Sequence, residues 1–302
     1  MRTADGVVTA LRARGELWDV APGLVGLRGN VLTLLHRIER EIALLTQLDS
    51  PEEWSAPPAL AMQTLDRAEY FVSFPFWLTA ASHLPDDEQT LEQIATADDA
   101  VGAARDALQP SGAAMQPALC YHVYERLSGR RVTTTRIISL SGTCWRQEGA
   151  RLAPLERQWA FTMRELICLG TAEDVEDFRQ RGMRAAGSLA TRLDLDAGFL
   201  VATDPFFAPT ARGKAVLQRM KALKHELALP IGGERSTAAA SFNNHERFFG
   251  ERFDITLDSG EPVSTACVAF GIERWLLAFL VAHGIDRVAW PSLDAAYSGS
   301  DA

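Results

Sequence analysis

The chain has 302 residues, with 39 Asp and Glu against 30 Lys and Arg, and a formal net charge of −9. This acidic balance lacks the electrostatic footprint of a protein that wraps nucleic acid, although local basic patches are compatible with it. The polar N-terminus and the lack of a long apolar run predict a cytoplasmic protein with no signal peptide and no membrane partner.

Four cysteines are scattered along the chain without CxxC spacing, at Cys120, Cys144, Cys168 and Cys267. In a reducing compartment we expect thiols or metal ligands rather than disulfides. A cysteine taken alone is more often a small buried packing residue than a ligand.

Residues 1–50 are predicted to be mainly helical, with breaks at residues 22–29. Apolar residues spaced three and four apart from Val31 to Leu45 mark one stripe of a helix that ends before Asp49. The stripe predicts that this helix packs one face against the rest of the protein.

The next part of the chain contains an aromatic-rich segment, an acidic segment and a candidate helix. Residues 54–78 place a short helix between prolines, which is typical of a packed core segment. Residues 86–99 are acidic and are expected on a solvated loop and helix face. Residues 106–128 are predicted to form a loop that leads into an amphipathic helix, with Cys120 near its start.

Residues 133–170 are predicted to form two long strands joined by a polar loop. Charged residues on or beside these strands are Arg146, Glu148, Arg157, Arg164 and Glu165. The strand period of two places Arg146 and Glu148 on one face, and likewise Phe161 and Glu165. Guanidinium groups, an aromatic ring and a carboxylate suit a nucleoside triphosphate, because they match phosphate oxygens, a base plane and an exocyclic amine.

The C-terminal half is predicted to alternate helices and strands. Residues 171–193 have helical spacing, residues 212–224 form a basic helix, and residues 224–230 form a strand. The polar run at residues 241–247 is expected to contribute to a site. It is also expected to lie just before a hydrophobic strand. Residues 275–283 predict an apolar helix that ends at Gly284.

Two strings in this chain resemble the signature motifs of class II aminoacyl-tRNA synthetases. CWRQEG followed by RQWAF resembles motif 2, with Trp145 where that pattern usually has Phe, and FGIERW around Arg274 resembles motif 3. The resemblance implies an α+β fold with an antiparallel sheet flanked by helices. Residues 54–78 resemble the motif 1 region, which implies a homodimer.

The resemblance also implies a division of the chain. Residues 1–50 are expected as an N-terminal helical segment, and residues 51–295 as the catalytic domain with a helical insertion at about residues 172–225. Residues 296–302 are expected to be a disordered tail.

A narrower resemblance is to the amino acid:[carrier protein] ligases, truncated homologues of the atypical zinc-dependent seryl-tRNA synthetases. The strings LCYHVY, RQWAFTMREL, SFNNHERFFG and TACVAFGIER carry it, and it covers about residues 22–283. The resemblance implies Zn²⁺ ligands at Cys120, Glu165 and Cys267. In that fold the strands of Glu165 and Cys267 lie side by side.

The same resemblance implies the remaining site residues. The expected ATP contacts, with Mg²⁺ on the phosphates, are Arg146, Glu148, Arg157, Phe161 and Arg274, with Arg146 and Arg274 catalytic. The residues expected to line the substrate pocket are Ser241, Asn243, Asn244 and His245. A lone histidine is more often structural than catalytic, so His245 is a weak candidate for a base.

The function that the resemblance implies is activation of a small amino acid, glycine or alanine, with ATP. The adenylate would then load the phosphopantetheine thiol of a small acidic carrier protein, for which the basic helix at 212–224 is a candidate docking surface. One alternative is tRNA aminoacylation, against which stand the acidic charge and the missing tRNA-binding arm. Another is an inactive regulatory paralogue, against which stand the retained Arg146, Arg274 and proposed ligands.

Overall fold

A computed structural model describes residues 2–46, 50–207 and 212–291 of the chain. The expected disordered tail, residues 296–302, lies outside these ranges. Among the described helices, none combines the length and the apolar character needed to cross a bilayer.

The strands are β1 (Leu17–Ala21), β2 (Leu24–Leu27), β3 (Glu52–Glu53), β4 (Ala59–Ala61), β5 (Ala80–His83), β6 (Gln109–Met115), β7 (Arg131–Val132), β8 (Arg136–Trp145), β9 (Ala160–Gly170), β10 (Gly198–Val201), β11 (Lys224–Pro230), β12 (Ser236–Glu246), β13 (Thr256–Leu257) and β14 (Ser264–Gly271). The α-helices are α1 (Ala4–Ala13), α2 (Gly29–Thr46), α3 (Met62–Arg67), α4 (Tyr70–Ser73), α5 (Glu88–Thr96), α6 (Ala100–Ala107), α7 (Cys120–Arg126), α8 (Ala172–Arg192), α9 (Arg212–Met220), α10 (Phe248–Phe253) and α11 (Ile272–His283). Short 3₁₀ turns lie at Pro75–Trp77, Gly149–Arg151 and Arg287–Ala289.

A seven-stranded sheet with the order β10-β11-β12-β14-β9-β8-β3 forms the centre of the described chain. All its neighbouring strands pair antiparallel except β3 and β8, which are parallel. The predicted long hairpin is confirmed as β8 and β9, whose register places Leu140 opposite Glu165. Strand β14 is central and almost wholly buried, which explains its continuous run of small and apolar residues.

One face of this sheet is covered by α1, α2, α8 and α11. The stripe predicted on α2, from Val31 to Leu45, is buried there. Helix α11 contributes the fully buried Trp275 and Phe279, and the Trp275 indole donates to the Ala239 carbonyl at 3.0 Å. This face is the continuous hydrophobic core.

The opposite face is covered less completely, by α3, α7 and α10 and by a small sheet of β4, β6 and β5. Residues that alternate with the first core point here, among them Met163 and Ile167 of β9. Aromatic side chains hold α7 and α10 together, with the rings of Tyr124 and Phe249 stacked at 4.2 Å. The incomplete cover leaves a cleft open over the middle of the sheet.

Helix ends follow the capping chemistry of the sequence. Thr171 and Asp174 form a reciprocal capping box at the start of α8. Gly284 ends α11 with a φ of +86°, a conformation that favours glycine.

Some elements differ from the sequence-based expectation. Residues 1–50 are mainly helical as predicted, but the break between α1 and α2 is longer than residues 22–29, because β1 and β2 form a hairpin there. Its two-residue turn is Pro22 and Gly23, with Gly23 at a φ of +74°. Strand β6 lies in the predicted loop before α7.

Two further differences affect the site. The stretch at 172–225 is not wholly helical, because β10 within it pairs with β11 at the edge of the main sheet. The polar run at 241–247 does not precede a strand: its first six residues are the end of β12 itself. Both errors arise because edge strands and site-lining strands lack the usual apolar alternation.

Candidate functional site

A cleft of about 580 Å³ lies over the sheet on the incompletely covered face. Its floor comes from β9, β12 and β14, and its walls come from α7, from residues 68–77 and from residues 203–206. Most of the site residues predicted from the sequence line this cleft: Cys120, Arg146, Glu148, Arg157, Glu165, Ser241, Asn243, Asn244, His245, Cys267 and Arg274. The topology therefore brings distant parts of the chain into one concave site.

Arg146 and Glu148 reach the cleft from a loop, not from a strand as predicted, because β8 ends at Trp145. The guanidinium of Arg146 donates from Nε to the Pro117 carbonyl at 2.9 Å. It also lies over two aromatic rings, 5.1 Å from the Trp77 centroid and 5.5 Å from that of Phe161. These contacts fix the plane of the guanidinium at the cleft wall.

Arg274 lies in the first turn of α11 and is held by backbone carbonyls. Its Nε donates to Glu156 at 2.7 Å and its Nη1 to Ala238 at 2.8 Å. Burial lowers the pKa of Arg274 to about 10, and the positive charges of Arg157 and Arg146 contribute to that shift. The guanidinium groups are thus close enough to repel one another, which is the charge arrangement of an anion site.

Glu148 is buried and accepts from Arg157 at 2.8 Å, so a carboxylate partly balances this cationic cluster. Phe161 lies beside the main cleft, in a small side cavity that it lines with Glu148 and Arg274. The ring, the carboxylate and the guanidinium predicted to contact a nucleotide therefore surround one recess.

Cys120, Glu165 and Cys267 converge on the floor of the cleft. Glu165 on β9 and Cys267 on β14 point to the same side of paired strands, and Cys120 is the first residue of α7. Both thiols are close enough to the Glu165 carboxylate for its charge to affect them. Backbone N–H groups of Leu119 and Cys120 donate to Glu165 Oε2 at 2.8 and 3.0 Å.

Burial raises the pKa of all three groups, and the Glu165 charge further raises that of both thiols. Three acidic groups in a dry place retain protons unless a cation offsets their charge. Two sulfurs and one carboxylate are a donor set that Zn²⁺ accepts, so the residues fit this metal chemically. Across residues 2–46, 50–207 and 212–291, however, no group of three His, Cys, Asp or Glu has the arrangement of a formed metal site.

The sulfur of Cys267 has two further polar neighbours on β12. Asn243 donates from Nδ2 to Sγ at 3.4 Å, and His245 Nε2 lies 3.7 Å from the same sulfur. His245 is enclosed by the rings of Tyr124 and Phe249, and burial lowers its pKa to about 4. A neutral imidazole in this position supports Cys267 rather than serving as a base near neutral pH.

Ser241 and Asn244 also border the cleft, but their side chains differ in role. Ser241 Oγ lies 3.5 Å from Asn243 Nδ2. Asn244 donates to Glu176 of α8 at 3.1 Å and accepts from the N–H of Glu246 at 2.9 Å. Asn244 therefore stabilises the irregular end of β12.

Sequence analysis missed a polar wall that includes Asp204 and Lys224. Lys224 Nζ lies 2.5 Å from Asp204 Oδ1 and 3.1 Å from Glu226 Oε1. Asp204 also exchanges two hydrogen bonds with Gln218 of α9, each 2.8 Å long. The signal was the pair of charged residues Lys224 and Glu226, which lie two apart and therefore on one face of β11.

Sequence analysis also missed Tyr70 and Trp77, which line the cleft from the segment predicted to be packed core. Tyr70 Oη and Trp77 Nε1 are buried and have no hydrogen-bond partner in the structure. A buried polar atom without a partner is costly, so each of these two side chains carries an unmet hydrogen-bonding group in the wall of the cleft.

Among known proteins, no family model matches the chain. Amino acid–[acyl-carrier-protein] ligase 1 of Bradyrhizobium diazoefficiens is 35% identical over 260 residues, which are 84% of this chain and 79% of that protein. The chain belongs to the amino acid–[acyl-carrier-protein] ligase family. Ligase 2 of the same organism is 34% identical over 274 residues, covering 89% of this ligase and 81% of its relative.

More distant relatives connect the ligase to synthetases. The type-2 serine–tRNA ligase of Methanopyrus kandleri is 29% identical over 206 residues, covering 63% of this ligase and 38% of that protein. The crystal structure of M. kandleri SerRS with A. aeolicus tRNASec superimposes with a TM-score of 0.86 at 22% identity, covering 97% of this ligase and 60% of that chain. The crystal structure of a cytoplasmic serine–tRNA ligase of Naegleria fowleri with AMP gives a TM-score of 0.71 at 10% identity, covering 93% of this ligase and 62% of that chain.

These comparisons confirm the family and the fold predicted from the motif strings. The ligase is an enzyme with the class II aminoacyl-tRNA synthetase fold, and it spans about 60% of the length of the solved synthetase chains.

Proposed function

We propose that this ligase activates a small amino acid with ATP as an aminoacyl-adenylate and transfers it to the phosphopantetheine thiol of a carrier protein. The observation that carries the proposal is one cleft in which a cluster of arginines lies next to the group of Cys120, Glu165 and Cys267. Family membership supports the carrier protein as acceptor, because the relatives at 35% and 34% identity are named for that reaction.

ATP is proposed to bind in the main cleft of about 580 Å³, as the Mg²⁺ complex, with its base near Phe161, Glu148 and Arg274. The ring supplies a stacking surface and the carboxylate accepts from an exocyclic amine. Arg146 and Arg157 then face the phosphates, where charge-assisted hydrogen bonds to oxygen are strong. The mutual repulsion of the arginines in the free enzyme favours this binding, since an anion relieves it.

In the first step the amino acid carboxylate attacks the α-phosphorus, a new P–O bond forms, and pyrophosphate leaves with the electrons of the broken bond. No side chain has to act as the nucleophile. Arg146, held by Pro117 and by two rings, neutralises charge that develops on the α-phosphate oxygens. Its contribution is on the order of 3 kcal/mol, as for one preorganised oxyanion donor.

Cys120, Glu165 and Cys267 are proposed to hold Zn²⁺. When bound, the ion supplies a Lewis-acid site that orients a free α-amine. The protein keeps this region dry and narrow, because buried Tyr121, Met163 and Phe249 border it. Such walls favour glycine or alanine over larger amino acids.

In the second step the pantetheine thiol attacks the adenylate carbonyl, its S–H proton passes to solvent, and AMP leaves as the acyl C–O bond breaks. The acceptor protein is expected to be acidic, with α9 as its docking surface. Arg219 of this helix is exposed. A homodimer formed through residues 54–78 and a cytoplasmic location stay predictions.

The experiment follows ATP–pyrophosphate exchange with glycine, alanine and serine, then transfer of labelled amino acid to bulk tRNA or to pantetheine-bearing carrier. Exchange with glycine or alanine and labelling of the carrier alone support the proposal. Labelling of tRNA identifies a synthetase, and absence of exchange with every amino acid identifies an inactive paralogue.

A further inference from the structure

We propose that Arg235 is a positioning residue for Arg274, and that it acts through Glu156 in the loop that links β8 and β9. The inference rests on the proposed function, in which Arg274 lies against the bound nucleotide. It deepens that function by naming a residue that sets the shape of the nucleotide site from outside. Arg235 lies in the turn between β11 and β12 and is not among the residues that line the cleft.

The guanidinium of Arg274 is held by two carbonyls that belong to separate segments of the chain. Its Nε donates to Glu156, in the loop after β8, at 2.7 Å. Its Nη1 donates to Ala238, the third residue of β12, at 2.8 Å. Because these donors belong to one rigid planar group, its position depends on the spacing between the two segments. A contact that fixes this spacing therefore fixes the guanidinium.

An ion pair joins the same two segments. Arg235 directly precedes β12, and its Nη2 lies 2.6 Å from Glu156 Oε2. The Glu156 side chain is only 12% exposed, whereas that of Arg235 is 52% exposed. A carboxylate that is largely withdrawn from water attracts a cation more strongly than one on an open surface. The pair therefore holds the loop residue against the start of β12.

The backbone beside Glu156 is strained and depends on its contacts. Leu155, the preceding residue, is buried and has a φ of +63°, in the left-handed region that is unfavourable for a residue with a side chain. Its N–H donates to the Gln158 side chain at 3.0 Å. The N–H of Arg157 donates to the Ala153 carbonyl at 2.8 Å and closes the turn. Arg235 adds a contact to this strained turn from another part of the chain.

The turn that carries Arg235 is itself fixed by the N-terminal helix. The N–H of Ala4 donates to the Ile231 carbonyl at 2.9 Å, and the N–H of Ile231 donates to the Arg235 carbonyl at 3.0 Å. Gly232, with a φ of +96°, lies so close to Arg2 that an added Cβ would overlap the Arg2 backbone. A continuous series of contacts therefore runs from α1, through this turn, to the loop after β8.

The test uses the full-length enzyme and measures the Kd of Mg²⁺–ATP by calorimetry, together with the KM values for ATP and for the amino acid in pyrophosphate exchange. Arg235→Ala should raise the Kd and the KM for ATP about three- to tenfold and leave the KM for the amino acid unchanged. Arg235→Lys, which keeps the charge, should recover most of this loss. Glu156→Gln should show the same defect, and the double variant should be no worse than either single variant.

Glu156→Gln also separates positioning from a direct attraction between Arg235 and the phosphates. If Arg235 attracted ATP directly, loss of its negatively charged partner would strengthen ATP binding. Arg12→Ala is the matched control for lost charge, because Arg12 is 43% exposed and pairs with Asp19 on the surface. Glu234→Ala is the control for the turn, since Glu234 is the exposed neighbour of Arg235. Both controls should bind ATP as wild type does.

Wild-type ATP affinity in Arg235→Ala overturns the inference, and so does tighter ATP binding in Glu156→Gln. Losses that add in the double variant also overturn it, because additive losses show that the two residues act independently. Equal increases in both KM values with a lowered urea midpoint would assign Arg235 to stability alone.

The proposed function can fail separately from this inference. Wild type that binds ATP but shows no exchange with any amino acid refutes adenylation, whereas the Kd values of the variants still decide the role of Arg235. Wild type that does not bind ATP overturns both.

Discussion

Glu165 and Cys267 lie on the same face of the paired strands β9 and β14, at the floor of the cleft. The fold of the sheet brings these two residues together, because β14 lies directly beside β9. In the sequence the two strands are separated by the elements from α8 to α10. Cys120 completes the group, and its backbone N–H donates to Glu165 Oε2 at 3.0 Å. A metal held here would tie together α7, β9 and β14.

Replacing Cys267 by Ser is predicted to abolish stoichiometric zinc, because a two-ligand remnant binds the ion weakly. Metal analysis of the purified protein measures this, with about one ion per chain expected in wild type. Cys144→Ala is the matched control, since Cys144 is an equally buried thiol that packs near Met163. Zinc retained in Cys267→Ser, or absent from wild type, contradicts the ligand assignment.

Asn243→Ala is predicted to weaken zinc retention by about 10- to 100-fold, because Asn243 donates to the Cys267 sulfur. Titration with a competing chelator measures the affinity. The neighbouring Asn244→Ala should retain wild-type affinity, because that side chain bonds to Glu176 on the opposite side of the strand. Equal affinities in both variants would show that the bond to sulfur has no effect on the metal.

Much of this architecture could be predicted from sequence, because the hairpin β8–β9 and helix α11 carry strong local patterns. The family strings predicted Cys120, Glu165 and Cys267 as one group, which spacing alone does not reveal, and all three line the cleft. Residues that act through tertiary contacts were missed.

Tyr70 and Trp77 illustrate why, since an aromatic residue that lines a cleft has the same local pattern as one in a core. Their unpartnered polar atoms become visible only when the neighbours are placed. Likewise, Asp204 and Lys224 form an ion pair only because β11 lies beside the segment that precedes α9. Pairs of residues that meet only in the folded chain cannot be predicted from the short stretch of sequence around either residue.

Phe279→Ala is predicted to lower the free energy of unfolding by about 3–5 kcal/mol, because Phe279 is fully buried where α11 packs on the sheet. Denaturant unfolding measures the loss. Val288→Ala, at a side chain that is 99% exposed, should change stability by less than about 0.5 kcal/mol. A loss below 1 kcal/mol in Phe279→Ala would contradict the placement of α11 in the core.

Arg146→Ala is predicted to lower amino-acid-dependent ATP–pyrophosphate exchange by about 10²- to 10³-fold. The reason is loss of the guanidinium that Pro117 and Trp77 hold at the proposed phosphate site. Arg12→Ala should exchange at the wild-type rate, because Arg12 pairs with Asp19 on the surface. If Arg146→Ala folds, by circular dichroism, and exchanges normally, the phosphate assignment is wrong.

Protonation of Glu176 is predicted to lower the free energy of unfolding of the protein in acid. Burial raises the pKa of Glu176, but hydrogen bonds from Arg179, Gln180 and Asn244 outweigh burial and lower it to about 2. The unfolded chain binds this proton near pH 4.3, so the contribution to stability is present above about pH 4.3 and is lost as pH falls toward 2.

Glu176→Gln should therefore lower stability at pH 7 and reduce the further loss between pH 4.3 and 2, as measured by urea midpoints across that range. Glu173→Gln is the control, because Glu173 is an exposed residue in the first turn of the same helix. Parallel pH profiles for wild type and Glu176→Gln would mean that the hydrogen bonds from Arg179, Gln180 and Asn244 do not favour the ionised carboxylate.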